Sequence, residues 1–349
     1  MFFVANSETL AARRPAFQQA LHAWYRVHQR KLPWRDSPSL YKTIVSEFML
    51  QQTQVATVLP YFARWLRELP DLATLAAASE AKVMKLWEGL GYYSRARNLH
   101  RLAQAYEAAA TKPRTPAGWR ELPGIGPYTA AAITSISFDE PAAVVDGNVV
   151  RILARLTGES RLFKDGMEAV KHFTPLADAL VVGSNPGEHN QAMMELGATV
   201  CLRANPQCLI CPVAAFCVAR AAGEPEKLPR FKPKAIEQRA VTRVWCIDRG
   251  RLLLQRGHAQ AKRLAGLHEL PDAAAIGVKP ASASLLATKR RTITRFVITE
   301  SIHRLEPTPA LRKRVAADAS LEWVPLRQLD QVTLSGPHKR WIGELSRSR

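Results

Sequence analysis

Four of the five cysteines lie close together, with the spacing Cys201-x6-Cys208-x2-Cys211-x5-Cys217, whereas Cys246 stands apart. Thiolates at such spacing converge on one metal centre, and a cubane [4Fe–4S] cluster takes four cysteines. Structural zinc usually has two Cys-x2-Cys pairs and this sequence has one, so the pattern favours iron–sulfur, with zinc as the alternative. Disulfides explain the clustering poorly in a chain without an export signal. We expect the cluster to stabilise an irregular, basic loop that binds phosphate groups.

Two acidic residues have the types that acid–base chemistry needs. Asp146 follows the apolar run 142–145 and precedes a predicted helix, where it would also serve as an ordinary N-cap. Glu47 lies within an apolar stretch, although an exposed helical glutamate explains it equally well. A carboxyl in an apolar pocket has a raised pKa and can donate a proton near neutral pH, while one in a polar site stays ionised. Such a pair has the division of labour that cleavage of a glycosidic bond requires.

A glycine-rich turn reads Leu-Pro-Gly-Ile-Gly-Pro-Tyr over residues 122–128, between two helical segments. Gly124 and Gly126 allow close backbone approach, and Pro127 suits the first turn of a helix. The free N–H groups at that helix start can hold a phosphate. The segment therefore predicts a helix-hairpin-helix that binds DNA backbone without reading bases; an ordinary helix–helix turn is the alternative.

The chain is strongly basic. Lysine and arginine outnumber aspartate and glutamate by 49 to 30 over 349 residues, which gives a net charge of +19 and a pI near 10.1. Nucleic acid is the commonest polyanionic partner, although a generally basic surface would give the same numbers. No apolar run approaches the roughly 18 residues of a membrane helix, and Arg13 and Arg14 follow the N-terminal apolar stretch rather than precede it. We expect a soluble intracellular protein of the cytoplasm, nucleoid-associated if bacterial.

Composition changes along the chain predict two domains. Residues 1–221 are mostly helical in pattern, residues 222–240 are polar and proline-rich like a linker, and residues 241–349 carry short β-type runs that indicate an α+β domain.

Within these domains, residues 41–59 have apolar side chains at helical spacing, and Pro60 ends that pattern. Residues 82–110 predict two helices separated by the glycines at 89–93. The predicted strands cover 241–247, 251–255, 292–298 and 321–325.

Taken together, these motifs resemble those of the endonuclease III superfamily of base-excision DNA glycosylases, and more closely the MutY-type adenine DNA glycosylases. The matching segments are Leu32–Arg35, Ser46–Val55, Gly89–His100, Leu122–Ala130, Val145–Asn148, Asn190–Gly197 and the four cysteines. The resemblance is strong over about residues 20–230 and weak beyond. It implies a mainly α, two-lobed helix-hairpin-helix glycosylase domain with an iron–sulfur cluster loop, followed by a Nudix-like α+β domain.

The resemblance also implies roles for individual residues. Adenine is flipped from the duplex into a pocket, because its glycosidic bond cannot be reached in the stack. Glu47 would protonate adenine N7, Asp146 would stabilise or capture the oxocarbenium-like sugar, and Asn148 and Tyr128 would orient that site. The residues that match the adenine pocket are Arg30, Leu32, Trp34, Arg35, Val55 and Gln191; those that match DNA contacts are Gln52, Tyr92, Gly124 and Gly126. Simple packing remains an alternative for several of them, Trp34 and Val55 in particular.

Tyr128 stands where bifunctional members of the superfamily carry the lysine that attacks the sugar C1′. A phenol cannot form an imine, so the resemblance implies a monofunctional glycosylase.

The C-terminal domain lacks an Arg-Glu-x-x-Glu-Glu run, so we interpret it as a binding module for the opposite guanine rather than a hydrolase. The Phe-Ser-His turn of the family aligns with Ile293-Thr294-Arg295, so Thr294 and Arg295 are predicted DNA contacts. An arginine has donors only, so we expect a smaller preference for 8-oxoguanine over guanine than the usual residues give. A plain β-strand is the alternative for this segment.

Three functions compete at this point. The first is removal of adenine mispaired with 8-oxoguanine or guanine in double-stranded DNA, by a monomer. The second is a bifunctional glycosylase/lyase acting on damaged pyrimidines, which Tyr128 argues against. The third is a non-enzymatic DNA-binding protein, which the intact contexts of Glu47 and Asp146 argue against.

Overall fold

The structure is a computed structural model that describes residues 2–183, 185–233, 235–258, 266–281, 284–293 and 295–347. The helices in chain order are α1 (Phe2–Ala12), α2 (Arg14–His28), α3 (Pro33–Asp36), α4 (Leu40–Leu50), α5 (Val55–Glu68), α6 (Leu72–Ala77), α7 (Glu80–Trp87), α8 (Ser94–Ala108), α9 (Pro116–Arg120), α10 (Pro127–Phe138), α11 (Gly147–Thr157), α12 (Gly166–Val181), α13 (Pro186–Thr199), α14 (Val218–Ala221), α15 (Pro309–Ala317) and α16 (Gly336–Arg347). The strands are β1 (Leu162–Phe163), β2 (Arg230–Phe231), β3 (Glu237–Trp245), β4 (Ile247–Asp248), β5 (Arg251–Arg256), β6 (His268–Glu269), β7 (Leu285–Ile293), β8 (Phe296–Arg304) and β9 (Leu321–Pro325).

The chain forms two compact units, residues 2–77 with 101–233 and residues 78–100 with 235–347. The segment 78–100, which the sequence analysis left in the N-terminal domain, groups with the second unit. There the Glu88 carboxylate accepts a hydrogen bond from Leu334 N at 2.9 Å, and the Tyr93 hydroxyl donates to Leu334 O at 3.0 Å.

The first unit is helical, as its sequence pattern predicted. Phe17 and Leu21 of α2 pack with Leu153 of α11, Phe173 of α12 and Leu196 of α13 in one apolar core. Burying these side chains is the main stabilising contribution to such a helical layer. This core supports the helices that carry Asp146, Asn148 and Gln191.

Helix α4 is unusual because residues on all its sides are buried, from Tyr41 to Met49. A surface helix shows one apolar stripe, whereas a helix buried all round runs through the interior. Ser39 caps its N-terminus by accepting a hydrogen bond from Lys42 N. Glu47 is therefore carried by a central, inflexible element.

The predicted helix over residues 41–59 is wrong in its bounds. The chain leaves α4 after Leu50, turns through Gln52 with φ 54°, and starts α5 at Val55. Pro60 does not end the pattern but lies inside α5 on an exposed position. The N–H that proline lacks costs least there, because water satisfies the carbonyl it would have bonded.

Helix α13 approaches two neighbours so closely that glycine is required. A Cβ on Gly187 would lie 2.6 Å from Ser135 O of α10, and one on Gly197 would lie 2.5 Å from Asn148 Cβ of α11. Both distances are below any van der Waals contact. The two glycines therefore set how closely α13 packs against the helices that carry Tyr128 and Asn148.

Part of the predicted linker, residues 222–240, forms regular structure. Its strand β2 pairs in parallel with β1, with Leu162 beside Arg230, so residues up to 233 belong to the first unit. The boundary between the units falls at residues 233–235, inside the predicted 222–240.

Among its described residues, the second unit is built on two sheets. One has the order β3-β8-β7, with β3 and β8 parallel and β7 and β8 antiparallel; in the other, β5 pairs with β4, β6 and β9. Trp245, Leu252, Ile302 and Trp341 fill the core between strands and α16. Helices α15 and α16 and strands β6 and β7 had no clear counterpart in the sequence prediction.

The predicted strand over 292–298 is wrong, because the chain reverses within it. Ile293 ends β7 and pairs with Phe296 at the start of β8, so a tight turn separates them. Thr294 lies outside the described residues. Among the helices that the structure describes, none has both the length and the apolar character needed to cross a membrane.

Candidate active site

A cleft of about 800 Å³ opens in the first unit between α2, α4, α10, α11 and α13. It is lined by all residues that the sequence analysis assigned to catalysis or to an adenine pocket: Glu47, Asp146, Tyr128, Asn148, Arg30, Leu32, Trp34, Arg35, Val55 and Gln191. These residues come from segments up to 161 positions apart, from Arg30 to Gln191, so their meeting in one cavity is a property of the fold. A concave site with few converging polar groups is the usual form of a ligand pocket.

Glu47 is buried in the wall of this cleft, with only 6% of its surface exposed. Burial raises the pKa of its carboxyl to about 7; the nearby Asp146 raises it further, while a hydrogen bond from Tyr128 and the charge of Arg35 oppose the shift. Its Oε2 atom has no hydrogen-bond partner among the described residues. Glu47 is therefore a carboxylic acid that keeps its proton up to near-neutral pH, and its Oε2 is available to donate that proton to a ligand.

Tyr128 lies at the first turn of α10, directly after the glycine turn. Its hydroxyl shares a hydrogen bond with the Glu47 carboxyl and lies 3.3 Å from Met194 Sδ. Burial and the two neighbouring carboxyls raise its pKa well above the ordinary value. The phenol is thus a neutral hydrogen-bond donor toward the acid.

Asp146 is the N-cap of α11, so that interpretation is confirmed. Its Oδ1 accepts hydrogen bonds from Asn148 N and Val149 N, both at 2.8 Å, and its Oδ2 accepts from Asn148 Nδ2 at 3.0 Å. Three donors at a helix N-terminus stabilise a carboxylate anion. The cap also fixes the carboxylate in the wall of the cleft.

Asn148 is itself held by Arg151, whose Nη2 donates to Asn148 Oδ1 and to Gly197 O, both at 2.8 Å. The Nε of the same arginine donates to Cys201 O at 2.8 Å. Asn148 therefore presents its amide nitrogen to Asp146 because its oxygen is already engaged.

Glu195 is a residue of this cleft that the sequence analysis did not single out. Its side chain is completely buried and accepts from Arg30 Nε at 2.7 Å, Arg30 Nη2 at 3.0 Å and Arg35 Nη1 at 3.0 Å. Burial alone would raise its pKa, but the two guanidinium groups outweigh that and hold it below the ordinary value. The available signal was its position four residues after Gln191, which places both on one face of α13.

Aromatic side chains complete the wall. Trp34 packs edge-on against Phe62, with ring centroids 5.1 Å apart. The Tyr25 hydroxyl donates to Gln191 Oε1 at 3.2 Å, and the Arg35 guanidinium lies 5.5 Å above the Tyr25 ring. The packing alternative for Trp34 is partly correct, since the ring both packs and lines the cleft.

In the first unit, the described residues predicted to contact DNA are Gln52, Gly124 and Gly126, and they do not line the cleft. Gln52 is exposed in the left-handed turn between α4 and α5. Gly124 has φ 78°, and Gly126 is the N-cap of α10, where no side chain caps the helix. In the second unit Tyr92 has φ 46° and is 49% exposed.

At the tip of the β7–β8 hairpin, Arg295 is exposed. Its Nη2 pairs with Glu237 Oε1 at 2.7 Å, and its guanidinium lies 5.2 Å from the Phe296 ring centroid.

The four clustered cysteines carry free thiols and line one small cavity of the first unit: Cys201, Cys208, Cys211 and Cys217. Arg155 is buried beside them and donates to Cys201 Sγ at 3.3 Å and to Leu202 O at 2.7 Å. Over the part of the chain that the structure describes, no set of three or more His, Cys, Asp or Glu side chains is arranged to hold a single metal ion.

Comparisons with known proteins find a matching family model and similar proteins. Residues 45–175 match the model of the HhH-GPD superfamily base excision DNA repair proteins. The chain is 45% identical over 217 residues to the adenine DNA glycosylase of Mus musculus, covering 58% of this chain and 42% of that protein. It is also 45% identical over 224 residues to that of Homo sapiens, covering 61% and 41%. The chain therefore spans less than half the length of these curated relatives.

The fold is similar to that of a thermostable thymine-DNA glycosylase, with a TM-score of 0.54 and 23% identity over 60% of this chain and 98% of that one. The chain is thus similar to adenine DNA glycosylases over about 60% of its length and matches the HhH-GPD superfamily model over residues 45–175.

Proposed function

We propose that this protein is a monofunctional adenine DNA glycosylase, acting as a monomer on adenine opposite 8-oxoguanine or guanine in duplex DNA. The observation that carries the proposal is the buried Glu47 carboxyl, whose pKa of about 7 suits a general acid, in one cleft with the triply hydrogen-bonded Asp146. The adenine DNA glycosylases to which the chain is similar support the choice of base.

In the proposed reaction Glu47 gives its proton to N7 of the flipped adenine. The C1′–N9 bond then breaks, its electron pair leaves with the base, and positive charge develops on the sugar. Asp146 faces that charge as an anion, fixed by Asn148 and by the start of α11. Water adds to C1′ and releases one proton, which balances the proton that Glu47 gave up; the products are free adenine and an abasic site.

The same cleft explains how a base would be held. Arg30 and Arg35 are fixed by the buried Glu195, so their remaining N–H donors are aimed without further ordering. Leu32, Trp34 and Val55 offer apolar contact surface to a planar ring.

Tyr128 supports base removal without cleavage of the DNA strand. It occupies the hairpin position from which an amine would attack C1′, and a phenol forms no imine. Excision should therefore leave the DNA backbone intact until alkali is added.

The four cysteines fit a [4Fe–4S] cluster better than a single zinc ion. All four line one cavity, and a cubane takes four thiolates, whereas structural zinc usually shows two Cys-x2-Cys pairs where this chain has one. Bound there, the cluster would fasten the loop 201–217 onto α11.

Iron analysis tests this assignment. We expect about four iron atoms per chain and no stoichiometric zinc, and Cys208→Ser should lose the iron and lower the thermal midpoint. Stoichiometric zinc without iron contradicts it.

Duplex DNA would be bound by the α9–α10 hairpin, whose uncapped N-terminus at Gly126 suits a phosphate. Gln52 and Tyr92 both have positive φ and exposed side chains, as residues that insert beside a flipped base would need.

We further propose that the C-terminal domain, residues 241–349, forms a Nudix-like module that recognises the opposite guanine. The turn between Ile293 and Phe296 supports the alignment of Thr294 and Arg295 with the lesion-reading turn of the family. The double variant Thr294→Ser, Arg295→His should raise the ratio of excision rates opposite 8-oxoguanine and guanine by roughly ten- to a hundredfold. An unchanged ratio would place recognition elsewhere.

One assay tests the whole proposal. Duplexes with adenine opposite 8-oxoguanine, with thymine glycol, or without a lesion are incubated with the protein, with and without alkali or borohydride. We expect excision of adenine alone, strand cleavage only after alkali, and no efficient borohydride-trapped adduct. Cleavage at thymine glycol without alkali would favour the bifunctional alternative, and no excision from any duplex would refute the proposal.

A further inference from the structure

Gln191 projects from α13 into the cleft and has one polar partner among the described side chains, the Tyr25 hydroxyl. The Tyr25 hydroxyl donates to Gln191 Oε1, with 3.2 Å between the two oxygens. The amide nitrogen of Gln191, with its two N–H donors, has no partner in the described part of the chain. An unoccupied donor pair therefore faces a cavity large enough for a base.

The orientation of an amide side chain is decided by its neighbours, because its two ends are nearly equal in size. A hydroxyl that donates to one end selects the oxygen for that end. The other end must then present N–H groups. At this position the neighbour is Tyr25, on a different helix and 166 residues away.

In the structure the Tyr25 hydroxyl acts as the donor to Gln191. Its side chain is 4% exposed and its ring lies under the Arg35 guanidinium, 5.5 Å from the centroid, which restricts its rotation. Burial raises the pKa of the phenol to about 12; the cation of Arg35 lowers it, and Glu195 and Glu188 raise it. The hydroxyl keeps its proton throughout the physiological range.

We propose that Tyr25 is a positioning residue that fixes the Gln191 amide with its N–H donors toward the base, and so selects purines whose N1 is an unprotonated acceptor. This inference rests on the proposed function. Adenine has a bare N1 and meets the requirement. Hypoxanthine and guanine carry a hydrogen on N1, which would oppose the hydrogens of Gln191.

The test measures single-turnover excision of adenine opposite 8-oxoguanine for the wild type, Tyr25→Phe, Gln191→Ala and the double variant. Phenylalanine keeps the ring under Arg35 and removes only the hydroxyl. We expect Tyr25→Phe to slow adenine excision about three- to tenfold, the effect of one net hydrogen bond. In the Gln191→Ala background the same change should have less than about a twofold effect, because the group it orients is gone.

Two further variants sharpen the design. Gln191→Glu keeps an acceptor for Tyr25 but has no N–H, so adenine excision should fall as in Gln191→Ala. Tyr106→Phe is the matched control, since Tyr106 stacks on Trp119 outside the cleft and should excise normally. With hypoxanthine in place of adenine, the rate in Tyr25→Phe should fall less than the adenine rate, or rise.

The outcomes separate the two claims. The positioning role would be overturned, with the proposed function left standing, by either of two results in a protein whose wild type excises adenine. One is that Tyr25→Phe excises adenine at the wild-type rate. The other is that Tyr25→Phe slows excision as much in the Gln191→Ala background as in the wild type. A wild type that excises no base would overturn both. Thermal unfolding of each variant shows whether a slow rate reflects a damaged fold.

Discussion

Glu47 combines two properties that oppose each other in a stable protein, a carboxyl group and an apolar environment. Burial of a charge is costly, and the protein reduces this cost by keeping the proton on the carboxyl. The tyrosine that shares a hydrogen bond with it limits the shift, so the pKa of about 7 reflects a balance between burial and one neutral donor.

Excision should depend on that proton. Glu47→Gln has no proton to give and should slow single-turnover excision by about 10²–10⁴, the usual contribution of a general acid. In the wild type the rate should fall as pH rises through about 7, because the acid form disappears. Glu107→Gln, an exposed position on α8, is the control and should be active. A rate that is flat from pH 5 to 9 would show that another group supplies the proton.

Glu47 should also make the stability of the protein fall as pH rises. Its folded-state pKa of about 7 lies above the ordinary 4.5, so its contribution to stability is fully present below pH 4.5 and is lost as pH rises through 7. The wild type should therefore lose about 2–3 kcal/mol of unfolding free energy from pH 5 to pH 8 that Glu47→Gln does not lose. The difference between variant and wild type should shift by that amount in favour of the variant. Denaturant titrations at the two pH values measure the difference. An equal effect of the substitution at both would contradict the raised pKa.

At the scale of elements, the packing of α13 against α11 fixes Asn148. Gly197→Ala would place a Cβ 2.5 Å from Asn148 Cβ and force the helices apart. We expect a loss of about 1–3 kcal/mol of stability despite the better helix propensity of alanine, together with slower excision. Gly166→Ala, at the first turn of α12 with no atom within 4 Å, is the matched control. If Gly197→Ala and Gly166→Ala have the same free energy of unfolding, the contact between Gly197 and Asn148 is not tight in solution.

The sequence predicted these elements best where local signals were strong. The break between α7 and α8 followed from two nearby glycines, and β9 matched its predicted bounds of 321–325. The turn at Gln52 was missed because a left-handed glutamine leaves no mark in an apolar pattern that continues on both sides. The hairpin at 293–296 was missed because its residues favour strands and no glycine marks the reversal.

The candidate site shows a similar division. Glu47, Asp146 and the cysteines were found from local motifs, whereas Glu195 acquires its role only when α13 meets Arg30 and Arg35, about 160 positions earlier. Tyr25 and Gln191 pair across 166 positions in the same way. Pairs of this kind depend on tertiary packing, which local patterns do not encode.

For the whole molecule, the charge of +19 predicts how binding responds to salt. Each phosphate neutralised releases counterions, so affinity for undamaged duplex should fall at least about tenfold between 50 and 200 mM KCl. The excision rate at saturating protein should change little, because the chemistry occurs in a cleft shielded from bulk ions. Fluorescence anisotropy and single-turnover rates across the salt range test the two parts. A salt-independent affinity would contradict a phosphate-bound complex.

The two glycine contacts of α13 also constrain how this chain can vary in length. Gly187 and Gly197 are ten residues apart, about 15 Å along the helix, and each meets a different neighbour. One extra residue between them would rotate one contact by about 100° relative to the other and turn Gln191 or Glu195 out of the cleft. The number of residues in α13 between the two glycines therefore cannot change, so insertions and deletions should be found in the loops on either side of the helix.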